Sequence, residues 1–156
     1  MKSVLVSIAA SGSVPYEGRD RYIGLRYEGW VTREGRPAEV GAMVIDADGM
    51  PQAGVPYYIK VERKQTRGAR VKGAGNAYLT RYSHEWLRVE TCKGRSRRDG
   101  MICRFTPDAA GEYRVIALVR DSQDRLHESH SWLYAQGGNE VLWEETPDYS
   151  LELRAE

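Results

Sequence analysis

Residues 111–121 read GEYRVIALVRD, and this stretch decides the fold class. Apolar side chains occupy every second position and share one face: Tyr113, Val115, Ala117 and Val119. Because successive side chains of a strand point to opposite faces, Ile116 and Leu118 make the other face apolar as well. A strand that is apolar on both faces is typically buried on both sides. The stretch is therefore predicted to be a central strand of a sheet.

The same alternation recurs along the chain and predicts further strands. They are Val4–Ala9, Tyr22–Val31, Ala38–Asp46, Val55–Arg63, His84–Cys92, Met101–Pro107, Leu126–Ala135 and Tyr149–Arg154. Tight-turn sequences separate several of them, such as DADG at 46–49 and DSQD at 121–124. Seven to nine short strands, without a helical apolar stripe, predict an all-β fold, an antiparallel Greek-key β-sandwich of the fibronectin or immunoglobulin-like kind. A small barrel is the alternative, since it predicts a similar pattern.

The composition is that of one folded domain. The chain has 156 residues, of which 41% are hydrophobic and 29% charged, enough for a well-buried core. The formal net charge of +1 gives no overall attraction to nucleic acid or to an anionic membrane. No apolar run approaches the roughly 20 residues that a membrane-spanning helix needs. Ten Tyr and four Trp, against one Phe, suit half-exposed sheets and contacts between modules.

The two cysteines, Cys92 and Cys103, bracket the polar stretch 93–100 between two predicted strands. This spacing predicts a disulfide that closes a hairpin, with a stabilisation of roughly 3 kcal/mol for so short a loop. A disulfide would imply an oxidising compartment. The alternative is a pair of reduced, half-buried thiols.

The residue patterns give no candidate catalytic, cofactor or metal site. His127 and His130 lie three apart, so on a strand they point to opposite faces and cannot hold one ion without a bulge; both are predicted to be solvated. His84 has no Cys or Asp at the spacing of a zinc site. The sequence has no Gly-x-Ser-x-Gly elbow, no phosphate-binding loop and no isolated carboxylate pair. We therefore predict a chain that is not an enzyme and needs no cofactor.

One segment, Lys64–Ala77, is basic and glycine-rich and is predicted to be a long loop. Its cations are Lys64, Arg67, Arg70 and Lys72. They mark a candidate module contact, for instance with the acidic stretch Glu140–Glu156 of the same or an adjacent module, or a protease-sensitive site. A nucleic-acid or polyanion surface, to which the cations of 93–98 would add, is the alternative.

Several stretches, taken in order, resemble the macroglobulin-like modules of bacterial alpha-2-macroglobulins. They are 22–26 (YIGLR) with Trp30 and 35–37 (GRP), 44–55 (VIDADGMPQAGV), 61–65 (VERKQ) through 71–78 (VKGAGNAY), 103–107 (CRFTP) with 111–114 (GEYR), and 141–143 (VLW) leading into 151–153 (LEL). The third and fifth are the more specific, whereas the turn and strand-entry motifs of the second and fourth occur in many extracellular sandwich domains. The resemblance covers about residues 20–156 and is to the module immediately before the bait-region domain. Residues 1–18 would then be a terminal strand or linker from the preceding module, and 19–156 the macroglobulin-like domain.

The resemblance implies a large periplasmic or cell-envelope protein, often a lipoprotein, that inhibits invading peptidases in bacterial defence. A peptidase cuts the bait region and the molecule rearranges. The implied partners are neighbouring modules and, indirectly, host or competitor peptidases, without nucleic acid or membrane insertion. Some members carry a thioester with a Cys-x-x-Gln signature, but Arg95 and Thr106 stand three residues after Cys92 and Cys103. The resemblance thus implies a structural module with no thioester and no activity of its own.

Two other functions are compatible with the sequence. A free-standing extracellular module that binds carbohydrate or protein would use an aromatic platform drawn from Tyr57, Tyr58, Tyr78, Tyr82, Trp86 and Trp132. The distinguishing observation is whether these rings are coplanar and exposed. A cell-surface hydrolase would instead need convergent polar groups in a pocket.

Overall fold

The computed structural model describes residues 18–72 and 78–138. These residues form eight strands: β1 (Arg21–Arg26), β2 (Val31–Arg33), β3 (Ala38–Asp46), β4 (Pro56–Lys72), β5 (Tyr78–Arg95), β6 (Met101–Phe105), β7 (Gly111–Arg120) and β8 (Leu126–Gln136). Among them there is no helix long and apolar enough to cross a membrane. The strands predicted at Val4–Ala9 and Tyr149–Arg154 lie outside the described residues.

The strands form two sheets packed as a sandwich. The small sheet has the order β1-β3-β6 and the large sheet the order β2-β8-β7-β4-β5. The pairs are antiparallel except β2 with β8, which run parallel over Val31–Arg33 and Tyr134–Gln136. The eight strands thus form two separate sheets and not a barrel. The predicted immunoglobulin-like β-sandwich is confirmed.

β7 is the central strand of the large sheet, as its sequence predicts, because it pairs with β4 on one side and β8 on the other. Its inward-facing side chains are all buried: Tyr113, Val115, Ala117 and Val119. They form one core with the inward side chains of the small sheet, including Ile23, Val40, Val44 and Phe105. Burying each large apolar side chain stabilises the fold by about 1.5–3 kcal/mol. The second apolar face is confirmed by Ile116, which is only 4% exposed although it is not part of this core.

One hydroxyl holds the connection between β6 and β7. Tyr113 Oη accepts the N–H of Ala109 at 3.1 Å, and it lies 2.7 Å from the Ala109 carbonyl oxygen and 2.9 Å from Asp108 Oδ1. Because a hydroxyl has one proton, it donates to one of these two oxygens at a time. A tyrosine near the start of a strand that bonds the backbone just upstream is a corner motif of immunoglobulin-like sandwiches.

Cys92 and Cys103 form a disulfide, as predicted, with Cα atoms 5.7 Å apart. The prediction that it closes a hairpin is wrong. Cys92 is in β5, an edge of the large sheet, and Cys103 is in β6, an edge of the small sheet. The bond therefore joins the two sheets. Spacing along the chain does not reveal whether successive strands pair with each other or cross to another sheet.

Near the other edge of the sandwich, hydrogen bonds join the two sheets. Ile23 of β1 donates its backbone N–H to His127 Nδ1 of β8 at 3.1 Å, and Ser129 Oγ donates to the Ile23 carbonyl oxygen. The His127 ring also meets the Tyr22 ring edge-on, with centroids 5.0 Å apart. Since Nδ1 accepts a hydrogen bond, the imidazole is neutral with its proton on Nε2. The prediction that His127 is simply solvated is therefore wrong.

This bond makes the stability of the fold depend on pH. Burial of the ring, and secondarily the positive charge of Arg19, lower the pKa of His127 below its usual 6.5. The unfolded chain then binds a proton more readily than the folded chain as the pH falls. The contribution of neutral His127 is fully present above the unfolded pKa and is lost as the pH drops through it toward the folded pKa. We expect the free energy of unfolding, measured by urea denaturation, to decrease from about pH 7.5 to about pH 5.

A pair of histidine variants tests this assignment. His127→Asn removes the titrating ring and should flatten the decrease. His130→Asn is the matched control, because His130 is exposed and pairs with Glu128 at 3.2 Å, and it should keep the decrease. A His127 variant with the pH dependence of the unsubstituted protein would contradict the assignment.

Candidate interaction surface on the β4–β5 hairpin

The hairpin of β4 and β5 extends well beyond the sandwich. β4 pairs with β7 only over Tyr57–Arg63, but it pairs with β5 along its whole length. Lys64–Lys72 and Tyr78–Trp86 therefore form a two-stranded projection, here called the ribbon, without a third strand among the described residues. At about 3.4 Å per residue, the nine residues of each arm extend for about 30 Å.

A β-bulge lies where the ribbon leaves the sandwich. Val61 pairs with Glu90, while the next residue, Glu62, pairs with Arg88, so that Val89 is left without a partner in the ladder. A bulge bends its strand and increases the local twist. The bulge therefore contributes to the direction in which the ribbon projects.

The prediction that Lys64–Ala77 is a loop is wrong for residues 64–72, which are part of β4. The sequence does not indicate a strand here, because glycine and charged residues such as lysine are depleted in β-strands. The cross-strand partner Tyr82 compensates for Gly68: a Cβ on Gly68 would come within 3.3 Å of the Tyr82 ring. The tyrosine ring thus covers the backbone where no side chain is present. Gly73 and Gly75 lie outside the described residues.

The four cations predicted as a site do not form one cluster. Strand alternation places Lys64, Arg70 and Lys72 on one face of the ribbon and Arg67 on the other. Lys64 pairs with Glu112 of β7 at 3.4 Å and Arg67 with Glu85 of β5 at 2.8 Å.

Within the part of the chain that the structure describes, the charges in the outer half of the ribbon are not neutralised by ion pairs. The Arg70 guanidinium lies 5.8 Å from the Tyr78 ring centroid, and Lys72 and Arg81 have no ion pair within the described part of the chain. Beside them, Tyr78 and Leu79 are 62% and 61% exposed. The outer half therefore presents both unneutralised positive charge and exposed apolar surface.

A second cluster lies at the base of the ribbon, on the outer face of the large sheet. The Trp86 ring has the Arg114 guanidinium 4.1 Å from its centroid and the Trp132 ring 5.6 Å away. Glu62, only 6% exposed, accepts from Arg114 at 2.7 Å and lies 3.6 Å from Arg88. Glu62, Arg88 and Arg114 are not among the site residues predicted from the sequence. Their alternation predicts an outward position, but only the strand register shows that they meet.

The aromatic residues proposed for a carbohydrate platform do not form one flat, exposed surface. Tyr57 packs against the core, and Tyr82 covers Gly68. Trp86 and Trp132 are tilted by 53° to each other. Tyr78 stands at the far end of the ribbon, eight residues along β5 from Trp86. The arrangement does not favour stacking of a flat sugar ring across several aromatic residues.

Among the described residues, three carboxyls have a shifted pKa, and each lies in, or accepts hydrogen bonds from, a turn or connection between strands. Hydrogen bonds from Ser122 lower the pKa of Asp20. Burial alone would raise the pKa of Asp121, but hydrogen bonds from Arg125 and the Gln123 backbone lower it. Burial would likewise raise the pKa of Asp108, but a hydrogen bond from the Tyr113 hydroxyl and the positive charge of Arg63 lower it. These carboxylates are ionised hydrogen-bond acceptors, whereas a general acid needs a raised pKa. Among the described residues no group of three or more His, Cys, Asp or Glu could hold a metal ion.

Comparison with known proteins gives matches in structure only. No protein-family model matches the sequence, and a search of the curated proteins gives no match. The crystal structure of Salmonella alpha-2-macroglobulin reacted with methylamine matches with a TM-score of 0.57 and 14% identity, over 74% of this chain and 8% of that one. The cryo-EM structure of native E. coli alpha-2-macroglobulin matches with a TM-score of 0.55 and 14% identity, over 75% and 8%. Dimeric latent PorU from Porphyromonas gingivalis matches with a TM-score of 0.53 and 10% identity, over 78% and 13%.

At these identities the likeness shows the fold. The chain has the β-sandwich fold of a macroglobulin-like module, which the sequence resemblance predicts. It spans 8% of the length of the two alpha-2-macroglobulin chains that it matches.

Proposed function

We propose that this chain is a structural, non-catalytic module of a bacterial peptidase inhibitor of the alpha-2-macroglobulin kind. In this role it would shape the inhibitor and contact neighbouring modules, while bait cleavage and trapping of the peptidase take place elsewhere in the parent molecule. The coverage supports this proposal, because a chain that spans 8% of such a protein would supply one module among several.

The observation that carries the proposal is the ribbon. A two-stranded hairpin is at best marginally stable in water, and the buried core contains no ribbon residue. The ribbon nevertheless exposes Tyr78 and Leu79 beside cations that have no ion pair among the described residues. Such a projection is stabilised when it contacts another surface, as a module does within a larger assembly.

For Lys64, Arg67, Arg70 and Lys72, the four basic residues of the ribbon that lie in β4, we propose a contact role. Exposed loop tips are the preferred sites of proteolytic nicking, whereas Lys64, Arg67, Arg70 and Lys72 are paired in β4. Their charge suits an acidic surface within the parent molecule.

We propose a periplasmic or cell-envelope location for the module. The disulfide between Cys92 and Cys103 supports this location, because disulfides persist in oxidising compartments such as the bacterial periplasm.

Inhibition assays test the proposed function. The chain alone, mixed with trypsin or elastase at equimolar concentration, should leave the rate of casein digestion unchanged. A longer product of the same gene that contains this chain and a bait region should inhibit digestion stoichiometrically. Inhibition by the chain alone would contradict the proposal. Glycan-array binding by the chain would contradict it as well and would favour a carbohydrate-binding module.

A further inference from the structure

The ribbon carries more positive charge than its surroundings neutralise. It contains five cations (Lys64, Arg67, Arg70, Lys72 and Arg81) and one carboxylate, Glu85, which gives a formal charge of +4. The ion pairs of Lys64 and Arg67 lie in the half nearer the sandwich. The outer half contains three cations that have no ion pair among the described residues 18–72 and 78–138: Arg70, Lys72 and Arg81. A partner that is both acidic and apolar would complement this half of the ribbon.

The last described residues bring the chain close to the base of the ribbon. Arg63 pairs with Tyr113, and Tyr113 pairs with Leu133. Leu133 of β8 is thus two strands, or about 10 Å, from the residue of β4 just before the ribbon. β8 and β4 are both antiparallel to β7 and therefore run in the same direction. The strand that leads to Gly138 runs in the direction in which the ribbon projects.

The sequence that follows Gly138 has the complementary chemistry. Residues 139–156 contain six carboxylates and one arginine, a formal charge of −5. Apolar residues are interleaved with these charges, in 141–143 (VLW) and at Leu151 and Leu153. The segment therefore matches the ribbon in charge and in the mixture of charged and apolar side chains.

We propose that the acidic residues 139–156 bind along the basic ribbon of the same chain. This inference rests on the contact role proposed above for the ribbon and names its partner. The contact would cover the exposed side chains of Tyr78 and Leu79 and neutralise the cations of the outer half.

Because residues 139–156 are covalently attached to the ribbon's own chain, even weak binding would keep them on the ribbon most of the time. A short tether gives an effective concentration on the order of 1 mM. A segment that would bind as a free peptide with a Kd of about 100 µM would then be bound about ten times as often as unbound. Amide exchange in the ribbon should accordingly be slowed about tenfold relative to a chain in which the contact is lost.

Hydrogen exchange of the full chain, followed by mass spectrometry, tests the proposal. Two variants remove the charge complementarity from either side. The ribbon variant carries Arg70→Glu, Lys72→Glu and Arg81→Glu, and the segment variant carries Glu144→Lys, Glu145→Lys and Glu152→Lys. Each should speed exchange of the ribbon amides about tenfold while leaving exchange in β7 unchanged. Raising the salt concentration should speed exchange in the unsubstituted chain, because exposed charge pairs are screened.

Combining the two sets of substitutions gives the decisive measurement. The combined variant restores opposite charges and should bring ribbon exchange back toward that of the unsubstituted chain. The matched control carries three reversals of exposed arginines on the sandwich: Arg98→Glu, Arg104→Glu and Arg120→Glu. It changes the net charge as much as the ribbon variant does and should leave ribbon exchange unchanged.

Several results would overturn the inference, and they differ in what they imply for the ribbon. If neither variant changes ribbon exchange, the contact role of the ribbon fails together with the inference. If only the ribbon variant speeds exchange, the ribbon has another partner and the inference alone fails. If exchange depends on protein concentration over about a hundredfold range, a second molecule supplies the contact, and the assignment to the same chain is wrong. Failure of the combined variant to restore slow exchange would also overturn the inference.

Discussion

Replacing Cys92 and Cys103 together by alanine should lower the free energy of unfolding by about 3 kcal/mol. The disulfide spans a sequence separation of 11 residues and joins the edge strands β5 and β6 of the two sheets. Among the described strands, β5 pairs only with β4 and β6 only with β3, so the disulfide supplies the covalent link between these two edges. The measurement is a urea titration of both proteins under oxidising conditions.

Reduction of the unsubstituted protein is the matched control. It keeps both cysteine side chains and removes only the cross-link, so its stability should agree with that of the double variant to within about 1 kcal/mol. A loss below about 1 kcal/mol in both cases would show that packing alone holds the two edges together.

Tyr113→Phe should cost about 2 kcal/mol. The substitution keeps the buried ring but removes the hydroxyl that accepts from the Ala109 N–H and donates to Ala109 or Asp108. Leaving partly buried polar groups without partners costs about 1–3 kcal/mol. Urea denaturation at neutral pH measures the effect.

Tyr58→Phe is the control for the loss of a tyrosine hydroxyl. The Tyr58 hydroxyl accepts from the exposed Arg88 at 3.0 Å, where water can replace it, so the change should stay within about 0.5 kcal/mol. Equal stability of Tyr113→Phe and the unsubstituted protein would contradict the role assigned to the β6–β7 corner.

Features fixed by local chemistry are predictable from the sequence. The turn at 46–49 forms as its residues predict, because Asp46 accepts the N–H groups of Asp48 and Met50 at 3.0 and 2.8 Å, and Gly49 adopts a φ of 82°. β3 has the bounds that alternation predicts, Ala38–Asp46. The tyrosine corner also depends on residues close in sequence.

Features that depend on residues distant in the sequence are harder to predict. The pairing of Cys92 with Cys103 is predictable from their spacing, but that it joins two sheets depends on which strands pair. The hydrogen bond from Ile23 to His127 crosses 104 residues, and no local pattern indicates it. The contact of Arg114 with Trp86 likewise requires the register of β4, β5 and β7. The sequence predicts a loop at residues 64–72 instead of a strand because the partner that covers Gly68 lies in another strand.

The position of the disulfide has a mechanical consequence. Cys92 sits three residues before the end of β5 at Arg95, while the ribbon lies at the opposite end of the same strand. A force applied to the Tyr78 end would peel β5 from β4 one hydrogen bond at a time. We expect peeling to stop at Cys92, because its covalent bond to Cys103 would transfer the load to β6 and the small sheet. The ribbon is thus connected to the large sheet through β4 and β5 and to the small sheet through the disulfide, and we expect a force on its outer end to load both sheets.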